Sequence, residues 1–185
     1  MASSHNFSLE LRMSNRPVDM ITVHRNSVGK NFEEVKRYFR EEKKWETPAY
    51  HFWVNYDGVI KQWQSLTCNA WHAGPTWNPA SAAIAVQGDF RQGKPTGAQM
   101  GALLGLMGTL CYAFDLVPTR FHSRAGVQVY EVNSHEELAA KENRVWKCPG
   151  ENLDVSSLRR RTQKPDLPSL AGISMIDRVA FCGWF

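Results

Sequence analysis

The sequence predicts an α/β fold built as a single domain, and three observations predict it. Two runs of small or β-branched apolar residues, 20–23 ("MITV") and the "SAAIAVQGDF" stretch from residue 81, lack the polar alternation of half-exposed strands and read as strands buried on both faces. Two segments with helical spacing of apolar residues follow, one after each run. The stretch "YHFWVNYDGVIKQW" between them alternates Tyr50, Phe52, Val54 and Tyr56 against His51, Trp53 and Asn55, the pattern of a β-hairpin.

The elements follow in order. The first strand gives way to a loop at Arg25-Asn26-Ser27 and Gly29. A helix starts at Asn31, a plausible N-cap with Glu34 three positions on; Phe32, Val35, Phe39 and Trp45 mark its apolar side, and it stops before Thr47-Pro48. In the hairpin, Asp57-Gly58 supplies the positive φ angles of a two-residue turn. After the irregular Trp71–Pro79 stretch and the second buried strand, Thr96 and Gln99 form a capping box. Met100, Leu103, Leu104, Met107, Leu110, Cys111 and Phe114 line one face of that helix as far as Asp115. Gly101, Gly105 and Gly108 are expected to let it approach a sheet closely. "VPTRFHS" reads as a short strand ending in His122, residues 123–146 as a polar inserted loop, and 155–185 as an appendage to the core. The boundaries expected are therefore an N-terminal extension (1–18), a catalytic domain (19–154) and a C-terminal appendage.

At 185 residues with 43% hydrophobic and 11% aromatic content, one well-filled core is affordable and two are not. The net charge of +4 favours anionic partners without choosing among them. The opening "MASSHNFSLELRMSNRP" is polar and carries no signal-peptide pattern, and no apolar run reads as long enough to cross a bilayer, so synthesis in a cytoplasm and no stable membrane insertion are expected. Cys68, Cys111, Cys148 and Cys182 form no CxxC pair, which argues against a zinc finger or a disulfide scaffold.

The chemistry emerges from the strand ends. His24 leaves one apolar strand, His122 another, and Cys148 sits in "KCPG", where Pro149-Gly150 turns the chain. Two imidazoles and a thiolate suit tetrahedral zinc and leave a fourth position open for catalysis. For any one His or Cys alone, a packed or surface role is the commoner one; only spatial convergence makes a metal site.

In order and local context, "ITVHRNS", "AYHFWVNYDGVIKQ", "AWHAGPTWNPASAAIAVQGDF", "TRFHS" and "KCPG" resemble the type 2 N-acetylmuramoyl-L-alanine amidases, the family of phage lysozyme-type amidases and peptidoglycan recognition proteins. The resemblance covers residues 19 to about 154. It implies a mixed central β-sheet flanked by helices, with zinc at strand ends in a surface groove, and hydrolysis of the amide joining N-acetylmuramic acid to L-alanine. Zinc suits that reaction because it lowers the pKa of bound water to about 7 and polarises the carbonyl. The resemblance places Zn2+ on His24, His122 and Cys148, and a catalytic phenol on Tyr50. His51, the strand neighbour of Tyr50, faces the other side and reads as structural. His72, Trp71 and Trp77 are substrate-binding candidates, although core packing is the ordinary role of a tryptophan.

The chain departs from the family pattern in three places. Trp146 stands where phage relatives carry an oxyanion-stabilising lysine and recognition-type relatives a threonine, which makes Lys147 the candidate for that catalytic task. His122 and Cys148 are 26 positions apart where relatives keep these ligands close, and His135 in "NSHEELAA" is a rival ligand; the strand-end setting of "VPTRFHS" favours His122. Gln87 occupies a strand position where some relatives carry a glutamate base, and an amide is no base at neutral pH. The expected function is that of a phage endolysin, a monomer acting on bacterial peptidoglycan. The alternative is a recognition protein that binds peptidoglycan without cutting it. No nucleic-acid partner is expected, since a solvated basic face explains Arg159-Arg160-Arg161 more simply.

Overall fold

The two buried runs pair with each other. In the computed structural model, which describes residues 16–28 and 31–162, β1 (Met20–Asn26) and β4 (Ser81–Gln87) run parallel in unbroken register, from Met20 opposite Ser81 to Asn26 opposite Gln87. They form the centre of a five-stranded mixed sheet. Parallel β2 (Phe52–Val54) flanks β4 and carries antiparallel β3 (Ile60–Gln62), while parallel β7 (Val132–Ser134) flanks β1, giving the order β3-β2-β4-β1-β7. Both faces are covered, as near-continuous apolar strands require.

Side-chain alternation divides β1 between those faces. Ile21 and Val23 join the core formed with Leu103, Leu106, Met107 and Leu110 of α2 (Gly97–Phe114). Thr22, His24 and Asn26 therefore fall on the opposite face. There α1 (Phe32–Arg37) and the π-helical turn Tyr38–Glu42 pack Phe32, Val35 and Phe39 against Trp53, Trp63, Ala83 and Ala85. Ala85 is directly opposite His24 in register, and its small side chain leaves room for the ring.

The caps at Asn31 and Thr96 form as the sequence predicts. Several expectations need correction. The first helix ends well before Trp45. The hairpin is joined by five residues, 55–59, because only Gly58 takes a positive φ (+82°); a Cβ there would lie 2.7 Å from the Ala98 carbonyl oxygen, so the start of α2 demands glycine. Gly105 and Gly108 are buried, but Gly101 is exposed with open space above it. By length and composition α2 is apolar enough to cross a membrane, yet half of it is buried in the domain.

Residues 123–146 are not an irregular loop. Strand β5 (Phe121–Arg124) pairs with β6 (Val127–Tyr130) as a separate hairpin, and β7 leads directly into α3 (His135–Lys141). Residues 155–162 form α4 (Val155–Thr162), whose Val155 and Leu158 enter the α2 core. Arg159 is no solvated cation: it is buried, ion-paired with Glu137, and donates to the Val132 carbonyl at 2.7 Å. The rest of the expected appendage lies outside the described residues.

Candidate metal centre and groove

Strand register brings the first two candidate ligands together. Val23 is opposite Ser134 in the β1–β7 pair, so the next residues, His24 and His135, leave adjacent parallel strands side by side. A capping box joining Ser134 and Glu137 fixes His135 as the first residue of α3. Cys148 arrives through the turn that follows it. Gly150 has φ +106°, and a Cβ there would lie 2.7 Å from the backbone at Phe90–Arg91, so only glycine lets this turn sit against the exit of β4. The Cys148 carbonyl accepts the Glu136 N–H at 2.8 Å, tying the turn to α3.

Among the described residues, His24, His135 and Cys148 form a buried group whose ligand atoms all lie within 4.8 Å of one another. His24 Nδ1 is 3.8 Å from Cys148 Sγ. A tetrahedral zinc with ordinary Zn–N and Zn–S bonds separates such a pair by about 3.5 Å, so donor types and spacing both fit the ion. Burial, reinforced by His135 and His72, holds His24 well below the usual histidine range, and burial with the Arg144 charge lowers His135 to about 4. Both imidazoles are therefore neutral, as ligands must be. Burial pushes the Cys148 thiol up to about 11 against the pull of the Arg25 N–H and charge, so a bound cation must displace its proton.

Above this group lies a groove of about 370 Å³ walled by Tyr50, Trp71, His72 and Trp146 among others. The Tyr50 ring centroid is 5.2 Å from that of His24. Burial and the neighbouring Cys148 raise its pKa far above the ordinary phenol value, so the hydroxyl remains a donor. Arg25 braces the floor: its side chain pairs with Asp89 at 2.9 Å and donates to the Lys147 carbonyl at 3.1 Å.

The N-acetylmuramoyl-L-alanine amidase family model matches residues 14–151. The chain belongs to that family. Among curated proteins, this amidase-family chain is 24% identical to peptidoglycan recognition protein 1 of Bos indicus over 112 residues, 60% of this chain and 54% of that one. It is 29% identical to the Mus musculus protein over 82 residues, 44% of this chain and 45% of that one. The chain thus spans about half the length of the curated relatives it matches. Its fold resembles amidase LysC from Clostridium intestinale URNW (TM-score 0.62, 21% identity, 79% of this chain and 85% of that one). It also resembles Drosophila PGRP-LB (0.60, 18%, 89% and 88%) and the endolysin of bacteriophage Ph2119 from Thermus scotoductus MAT2119 (0.55, 24%, 80% and 86%).

Within this amidase-family fold, several expected site residues are elsewhere. His122 is on β5, where its Nε2 lies 3.6 Å from Asp19 Oδ1. Asp19 precedes β1, and five residues of strand separate it from His24 by about 16 Å; His122 is thus at the wrong end of β1 to join His24, and His135 replaces it in the cluster. Lys147 is exposed and is not among the groove-lining residues, whereas Trp146, 56% exposed, lines the groove with its ring 5.8 Å from that of His135. Trp77 is only 1% exposed and packs with Met20, Ala73 and Leu138, so it is a core residue. Trp71 and His72 do line the groove. His51 is structural as expected: Nδ1 accepts the Ala83 N–H at 3.0 Å and Nε2 donates to the Cys68 carbonyl at 2.9 Å. Gln87 accepts from the Tyr56 N–H at 3.3 Å and is not among the groove-lining residues. Arg25, expected to begin a loop, instead lies within β1 and braces the groove, a role its sequence context does not signal.

Proposed function

We propose that the groove is the active site of a zinc-dependent peptidoglycan hydrolase that cleaves the amide between N-acetylmuramic acid and the L-alanine of the stem peptide, in the manner of a phage endolysin. The observation that carries this reading is the convergence of His24, His135 and Cys148 beneath a groove that also holds the Tyr50 phenol. Zinc on those three residues supplies Lewis acidity toward the amide carbonyl and the attacking water. Tyr50, kept protonated by burial, donates a hydrogen bond to the oxygen on which negative charge develops. Trp71, 40% exposed, and Trp146 offer flat apolar faces to a sugar ring or the peptide stem. With Lys147 outside the groove walls, Tyr50 is the side-chain donor that the groove offers to that oxygen.

One observation favours a second reading, a non-catalytic peptidoglycan-binding protein: Trp146 fills the place of the family's lysine or threonine. Purified peptidoglycan separates the two readings. The hydrolase yields new L-alanine amino termini and intact glycan by mass spectrometry, contains one zinc per chain, and loses both properties in Cys148→Ala. Zinc at one per chain with peptidoglycan bound and no new amine would overturn hydrolysis in favour of recognition.

A further inference from the structure

We infer that His72 is a positioning residue for the metal centre: it accepts a hydrogen bond from His24 Nε2–H and thereby fixes the His24 tautomer whose Nδ1 lone pair faces Cys148. The inference rests on the metal-centre reading and goes beyond it. Its geometric basis is a 3.0 Å contact between His24 Nε2 and His72 Nδ1, with the two rings edge to face, 88° apart.

Both rings are buried, and among the described residues neither nitrogen of the 3.0 Å contact faces a carboxylate, so each is held as a neutral imidazole. A neutral imidazole has one N–H and one lone pair. The contact can therefore run in only two directions. If His72 Nδ1 donated, the His24 proton would be on Nδ1, the atom 3.8 Å from Cys148 Sγ, and that atom could not bind a cation. If His24 Nε2 donates, the Nδ1 lone pair is free and aimed at the thiol. Only the second direction is compatible with a ligand at His24, so an acceptor at His72 selects the metal-binding tautomer before any ion arrives.

The fold holds that acceptor firmly. Asn78 Oδ1 accepts the backbone N–H groups of His72, at 3.2 Å, and Ala73, at 2.9 Å. Arg144 donates to the Ala73 carbonyl at 3.2 Å from the segment between His135 and Cys148. Asn78 opens the short 3-10 turn Asn78–Ala80, which runs directly into β4, and Ser81 Oγ is 2.6 Å from Thr22 Oγ1 on β1. The spacing in "WHAGPTWNPAS" thus ties the His72 loop to the two strands that carry and flank His24. The substrate role expected of His72 is separate from this one: the Nδ1 atom is committed to His24, and Nε2 is buried without a partner.

Two measurements on the full chain test the inference. In metal-free wild-type protein, long-range ¹⁵N–¹H correlation of the imidazoles is expected to show the proton of His24 on Nε2; finding it on Nδ1 overturns the proposal and needs no variant to fold. Zinc affinity, read by competition with a chromogenic chelator, is expected to fall about 10–100-fold in His72→Leu and to recover most of that loss in His72→Gln, whose amide oxygen can accept the same N–H. Equal affinity in wild type and His72→Leu, or no recovery in a folded His72→Gln, also overturns it. The metal-centre reading itself fails on a different result, equal zinc binding by wild type and Cys148→Ala.

Discussion

The two ends of β1 carry similar side chains and use them in opposite ways. At the entrance, Asp19 meets Arg124 at 2.9 Å and His122 at 3.6 Å, with all three side chains between about one-fifth and two-fifths exposed. At the exit, His24 meets His72, His135 and Cys148, all buried. A carboxylate and a guanidinium near water need no further organisation, and their pairing is worth little. Buried neutral rings and a protonated thiol have no charge to pair and offer soft donors to a cation. The same strand thus ends in an ion pair at one side and a candidate ligand set at the other, and solvent access separates the two.

Exchanging the histidines is the strongest test of that contrast. His135→Ala is expected to abolish one-per-chain zinc and to lower peptidoglycan hydrolysis by about 10³-fold or more, the loss of several kcal/mol of transition-state stabilisation. His122→Ala is expected to leave zinc content and rate within about twofold of wild type, since its partner Asp19 lies at the other end of β1 from His24. Plasma emission measurement of zinc, with amine release from peptidoglycan, reads both; the reverse pattern breaks the comparison.

That pair of histidines also shows what was legible in the sequence. The α/β class, both central strands, the long capped helix, and the candidate donors His24 and Cys148 could be picked out because each rests on local pattern: apolar runs, a capping box, a Pro-Gly turn. His122 lies outside the cluster, which the sequence does not reveal: "VPTRFHS" and "VNSHEELAA" each place a histidine near a β-strand, and local pattern does not say which strand lies beside β1. The pairing of Val23 with Ser134 does, and that is long-range information. A signal was nonetheless present: Ser134 and Glu137 form a capping box that puts His135 at a helix start, and His135 is 13 positions from Cys148 rather than 26. Trp77 and Lys147 lie off the groove, and this is hidden for a related reason, since residue type does not reveal whether a loop side chain turns inward or outward.

Next in size is the phenol at the exit end. Tyr50→Phe keeps the ring that packs 6.0 Å from Phe39 and from Trp63 and removes only the hydroxyl. The rate is expected to fall about 10²–10³-fold, with zinc content unchanged. A drop below tenfold would move oxyanion stabilisation elsewhere.

Burial away from the exit end also gives a pH signature. His51, fully buried beside Ala83 of β4, is lowered to about 3 by burial and the nearby Arg16, against a hydrogen bond to the Cys68 carbonyl. The unfolded chain binds a proton near pH 6.5 that the folded chain refuses until about pH 3, so stability is full above 6.5 and declines as pH falls through that window. Between pH 7 and pH 5 the His51 contribution alone is about 2 kcal/mol, and buried His72 adds in the same direction. Urea unfolding of metal-free protein at the two values measures it; a midpoint that does not move would mean the ring is solvated or charged in the folded state.

The smallest effect belongs to the entrance. Asp19→Asn removes the charge that Arg124 faces, but Arg124 Nε still donates to the Thr76 carbonyl at 3.2 Å, and the backbone bond from Asp19 N–H to the Ala80 carbonyl at 3.0 Å does not involve the side chain. With both side chains partly in water, the cost is expected to be about 0–1 kcal/mol and to shrink as salt is added. Zinc affinity should not change, because the altered carboxylate is about 16 Å of strand from His24. A Asp19→Asn protein that binds zinc ten times more weakly would show that β1 transmits strain along its length, and its two ends would then have to be treated as one site.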